Sequence, residues 1–83
     1  MKKKIYSIYF LLFAACIGFA QMKKAENYFS KFDYAKAIPA YQKVANGKSA
    51  DKQNAMIKLA DCYRILNEYS KAEIYYAQAL SIG

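Results

Sequence analysis

The stretch ADCYRILNEYSKAEIYYAQA, Ala60 to Ala79, has a forerunner earlier in the same chain, AENYFSKFDYAKAIPAYQKV, Ala25 to Val44. Laid one above the other, Ala25 meets Ala60 and Tyr28 meets Tyr63. The run Asp33 to Ala37 (DYAKA) meets Glu68 to Ala72 (EYSKA), and Tyr41 meets Tyr76. Every pair is 35 residues apart, with no gap inside the unit. A period of this size marks a repeat architecture, in which one supersecondary unit is copied and stacked.

Each unit reads as two helices. The first has a helix from about Met22 to Lys31, a turn near Phe32 and Asp33, and a helix from about Tyr34 to Ala45. The second has helices from about Lys52 to Leu66 and from about Ser70 to Ser81, where Ala72, Tyr75, Tyr76, Ala79, Leu80 and Ile82 form an apolar stripe at helical spacing. Asp33 and Glu68 stand where second helices begin, a favourable place for carboxylates because unpaired amides and the positive dipole end lie there. Between the units, NGKSADK (Asn46 to Lys52) is expected to stop one helix at Asn46-Gly47 and to cap the next through Ser49 or Asp51, and Gly83 is placed to stop the last helix. Ala25 and Ala60, then Ala37 and Ala72, allow close helix approach, while Tyr28, Tyr63, Tyr41 and Tyr76 fill the space one turn on. Pro39 falls inside a helix, where it removes one backbone hydrogen bond and is expected to bend the helix slightly.

Upstream of the repeat, MKKKIYSIYFLLFAACIGFAQ has the form of an export leader: Lys2 to Lys4, an apolar run, and small Gly18 and Ala20 before Gln21. Ile5 to Ala20 is only 16 residues, short for a membrane span, which needs about 20. Cleavage is therefore expected after Ala20, and Cys16 is read as a small hydrophobe of the leader rather than as a lipidated residue. The destination expected from this leader is the periplasm or the outer membrane. The whole chain carries a net charge of +7, but three of its thirteen basic residues lie in the leader, which leaves ten against six acidic and a net +4 for residues 21–83. The remaining lysines are scattered, as on a solvated helix surface, and form no stripe for nucleic acid. Cys62 is the single cysteine after Ala20, so no internal disulfide is expected.

The repeat resembles the tetratricopeptide family, whose units are helix–turn–helix hairpins of about 34 residues. Ala25, Tyr28, Ala37 and Tyr41 fit its pattern, as do Leu59, Ala60, Tyr63, Ala72, Tyr76 and Ala79. Departures are Lys24 in place of a leucine, Val44 in place of an alanine, and one extra residue in the linker. The resemblance implies an all-α fold: two tandem hairpins, about 21–48 and about 52–83, in a short right-handed α-solenoid spanning 21–83 behind the leader helix 1–20. It also implies a concave groove lined by the first helices, with Glu26, Phe29 and Ser30 from unit one and Asn54, Ile57, Asp61, Arg64 and Ile65 from unit two. Against this stands a plainer reading for Asp61 and Arg64, three apart on one helix and able simply to pair with each other. Met22, Glu26, Ile57 and Asp61 replace the Lys/Asn set with which some members clamp a C-terminal carboxylate, so that ligand class is not expected.

An enzyme is not expected either. There is no histidine to serve Cys62 as a base, no helix-borne metal set among the carboxylates, and no motif for a cofactor. The tyrosines fall mostly at packing positions. The expected partner is protein, or further repeats or domains of the same polypeptide, because stacked hairpins bury their apolar faces only against neighbours. A leader ending in FAQ followed by this repeat is similar to the beginnings of envelope proteins that join such repeats to an OmpA-like domain, some of them in secretion machinery. Two other readings remain open: a small periplasmic protein that self-associates through Tyr75, Leu80 and Ile82 of its last helix, and the accessory repeat region of an envelope enzyme.

Overall fold

A computed structural model describes residues 20–82; the leader 1–20, apart from Ala20, and the stop expected at Gly83 lie outside the described residues. Among the described residues there are four helices and no strand: α1, whose described part is 20–30, α2 (Tyr34–Ala45), α3 (Lys52–Ile65) and α4 (Tyr69–Ile82). Pairs α1/α2 and α3/α4 are the two expected hairpins, and α3 packs on both α2 and α4.

The hairpin turns are identical twice over. In the first, the Asp33 amide donates to the Tyr28 carbonyl (2.9 Å) and the Phe32 amide to Phe29 (3.0 Å); in the second, the Glu68 amide donates to Tyr63 (2.8 Å) and the Asn67 amide to Arg64 (3.0 Å). These are paired Schellman closures, which need a left-handed residue just past the helix. Phe32 (φ 62°) and Asn67 (φ 65°) supply it, 35 positions apart. The left-handed stop thus lies inside each hairpin. It does not lie at Asn46-Gly47, where Asn46 keeps φ −85° and no glycine has positive φ among the described residues.

Helix starts differ from expectation in detail. Asp33 does cap α2, its side chain accepting from the Lys36 amide at 3.4 Å. Asp51 is the N-cap of α3 but makes no side-chain cap bond; its backbone amide donates to the Ser49 hydroxyl (3.2 Å) and its backbone carbonyl accepts from the Ala55 amide (2.8 Å). The Glu68 carboxylate turns to Lys71 Nζ (3.4 Å).

The core runs along the α2–α3 seam, where Tyr41, Leu59, Val44 and Cys62 are the largest fully buried side chains. Ala25, Ala37, Ala60 and Ala72 are all buried, as the small-residue positions require for close helix approach. The aromatic positions are less equal. Tyr41 is fully buried because α3 covers it, whereas its counterpart Tyr76 on α4 is only half-buried. Of the expected stripe on α4, Ala72 and Ala79 are buried, while Leu80 and Ile82 are 81% and 46% exposed.

Candidate protein-binding face

On α3, Asn54, Ile57, Asp61, Arg64 and Ile65 recur at spacings of three and four and share one side of the helix. Opposite the core stripe of Ala55, Leu59 and Cys62, this side stays accessible: Asn54 and Arg64 are exposed, and Ile57 and Ile65 are each 38% exposed. The inner side of α1 lies beside it, as the Lys58 ammonium 4.8 Å from the Phe29 ring centroid shows. Glu26 and Ser30 are exposed there.

Four of the expected groove residues are already engaged within the fold. Asp61 and Arg64 pair on the helix surface (Nη2 to Oδ1, 3.8 Å), the plainer of the two readings. Tyr76 of α4 joins them, its hydroxyl donating to Asp61 Oδ1 while accepting from Arg64 Nε at 3.3 Å. Phe29 is half-buried against the core, edge-on to Tyr34 (5.4 Å) and Tyr41 (6.3 Å), with Lys58 over its face. Its ring is a wall of the face rather than a free anchor. Ser30 turns its hydroxyl back to the Asn27 carbonyl (2.8 Å). Ile57 and Ile65 therefore carry the free apolar area, with Lys58 and Arg64 as their charged neighbours along α3.

Beneath this face lie two groups with shifted acidity. Burial pushes the Cys62 thiol up to about 11, with Asp61 adding to it, so at neutral pH the sulfur is a fully buried neutral thiol. Burial likewise raises Tyr41 to about 12, with Cys62, Glu26 and Asp61 contributing, and its hydroxyl has no hydrogen-bond partner. By the repeat, Glu26 stands to Tyr41 as Asp61 stands to Tyr76, but the first unit lacks the bond that the second makes. Neither group is placed to attack or to exchange protons with a ligand. Among the described residues no group of three acidic, cysteine or histidine side chains could hold a metal ion.

Sequence reasoning missed Tyr76 and Lys58 as parts of this face. Tyr76 reads as a packing aromatic, and only the helix it faces shows that its hydroxyl overhangs Asp61. Lys58 reads as one of many solvated lysines.

Comparison with curated proteins and with solved structures gives no match. Comparison with family models gives one over the second hairpin: residues 53–82 match the tetratricopeptide repeat, a non-catalytic helical unit that generally mediates protein–protein interaction.

Proposed function

We propose that this chain is an exported, non-catalytic module that binds a protein segment along the face formed by α1 and α3. The observation that carries the reading is the pair Ile57 and Ile65. They are aliphatic, partly exposed, on one side of a helix, and bordered by charges that would fix the register of a partner. Export rests on the basic-then-apolar leader, and an envelope role on the similarity of the chain's beginning to OmpA-linked repeat proteins. Among the described residues no helix is long and apolar enough to cross a membrane. Cross-linking in cells followed by pull-down tests the binding reading. Wild type should capture partners that an Ile57→Glu, Ile65→Glu double variant of unchanged helicity loses, and a double variant that keeps every partner would remove the face from consideration.

A second reading, self-association through α4, is favoured by the exposed Leu80, Ile74 (55%) and Ile82. Tyr75 does not belong to that surface, since it stacks on Tyr63 at 5.5 Å. Sedimentation over a range of concentrations separates the two, because a monomer throughout would leave only the groove.

A further inference from the structure

An open hollow of about 190 Å³ lies between α1 and α2, on the other side of the α1 core stripe from Glu26 and Ser30. Its walls are the Tyr28 side chain, Pro39 and Ala40, rimmed by Lys24, Lys36 and Lys43. The second hairpin shows why the hollow exists. There, Tyr63 takes the place of Tyr28 and Lys71 the place of Lys36, and the position of Ala40 is occupied by Tyr75. The Tyr75 ring lies flat on Tyr63, centroids 5.5 Å apart and planes 11° off parallel, with the Lys71 ammonium 5.4 Å from the Tyr63 centroid. Unit one keeps the platform and the lysine but has a methyl group where the stacking ring belongs.

The volume fits what is missing, since an apolar cavity of about 150 Å³ accepts a benzene ring. The rim supplies the second criterion. Leu59 and Gln78 of unit two are replaced by Lys24 and Lys43, which are exposed and have no ion-pair partner among the described residues, while Lys36 is held by Asp33 at 3.8 Å. A ring entering this hollow therefore meets a stacking surface and uncompensated positive charge.

We propose that the hollow beside Tyr28 receives an aromatic side chain presented by an acidic segment of a partner protein. The inference rests on the protein-binding reading but uses a different face, so the two fail separately: an Ile57→Glu, Ile65→Glu variant should leave this site intact. The test titrates the purified protein with the capped peptide Glu-Glu-Tyr-Glu-Glu, its alanine analogue Glu-Glu-Ala-Glu-Glu, and 4-hydroxyphenylacetate, read by calorimetry and by the tyrosine ring proton shifts.

The tyrosine peptide should bind about threefold to tenfold more tightly than the alanine peptide, the range set by one stacked ring pair. Its affinity should fall as salt is raised. Ala40→Tyr, which fills the hollow from within as Tyr75 does, should abolish binding without lowering the melting temperature. Lys24→Glu with Lys43→Glu, both at exposed positions, should weaken binding by about tenfold, and this variant keeps the test decisive should Ala40→Tyr fold poorly. Equal affinity for the alanine peptide would overturn the proposal, as would binding that survives in a folded Ala40→Tyr protein. Affinity for 4-hydroxyphenylacetate as high as for the tyrosine peptide would also overturn it and assign the hollow to a free aromatic acid.

Discussion

At the left-handed stop of the first hairpin, Phe32 adopts φ 62° with its ring 77% exposed. A bulky side chain in that region is strained, whereas asparagine, present at the equivalent position 67, tolerates it. Phe32→Asn should therefore stabilise the protein by about 1 kcal/mol and raise Tm by about 4–8 °C, less whatever the edge contact to Tyr34 contributes. An unchanged or lower Tm would contradict this origin of strain. The two repeated tyrosines should respond with opposite signs. Tyr41→Phe removes a buried hydroxyl that has no partner and should stabilise by about 1 kcal/mol, whereas Tyr76→Phe strips Asp61 and Arg64 of a shared partner and should cost about 1 kcal/mol. Urea melts of both variants giving shifts of the same sign would show that the hydroxyl environments are not as described. Cys62 and Tyr41 also set the alkaline limit. Each has a folded value above its ordinary one, 9.0 to about 11 and 10.0 to about 12, so the folded state holds its proton more tightly than the unfolded chain does. Their stabilisation is complete below pH 9 and is lost as pH rises through the folded values. Tm should fall steadily above pH 9, and Tyr41→Phe should flatten the upper part of that fall.

Among the elements, α3 is the one that both neighbours need, with Leu59 fully buried at its centre. Leu59→Ala should cost about 2–5 kcal/mol by lost transfer energy and residual cavity, enough to unfold much of a small two-hairpin stack at 37 °C as seen by far-UV circular dichroism. A loss well under 1 kcal/mol would mean that the seam is not the core. The helices themselves were legible from sequence because small and aromatic residues recur at helical spacing in both units, and the end of α1 and both ends of α2, α3 and α4 fall within about one residue of expectation. The stops were harder to read. Asn46-Gly47 is a strong turn signal that the chain uses without a left-handed residue, while Phe32, a poor signal, takes the left-handed role because the duplicated hairpin geometry imposes it. The face on α3 was legible as a set of positions. Which members were free was not, because that depends on Tyr76 and Lys58 reaching across from other helices or turns of the helix. The hollow beside Tyr28 was hidden for a related reason: nothing in Ala40 itself is unusual until Tyr75 shows what that position can hold.

Across the whole molecule, the repeat makes the two ends of the stack comparable, and they are unlike. The side of α3 that meets α2 carries Met56, Leu59 and Cys62, all buried; the matching positions on α1 are Gln21, Lys24 and Asn27. At the other end, Leu80 on α4 matches the buried Ala45 of α2 and is 81% exposed. Among the described residues the outer side of α1 is therefore polar, while that of α4 presents apolar surface suited to another helix, so the stack has a direction. Head-to-tail association of identical chains would press Leu80 against Lys24, burying a charge without a partner, and is disfavoured on that ground. A hairpin added in phase after Ile82 meets no such penalty. A second copy of residues 48–82 placed there would bring a new Met56, Leu59 and Cys62 onto Tyr76, Ala79 and Leu80, repeating the α2–α3 seam one period further on. The longer protein should unfold in a single transition with a larger m-value and a higher midpoint, since neighbouring interfaces dominate the stability of such arrays. The same copy placed before Ala20 should give no gain, because its apolar α4 face would meet Gln21 and Lys24. Equal stabilisation at both ends, or a separate low-temperature melt for the hairpin added after Ile82, would show that the polar residues of α1 do not set the direction of stacking.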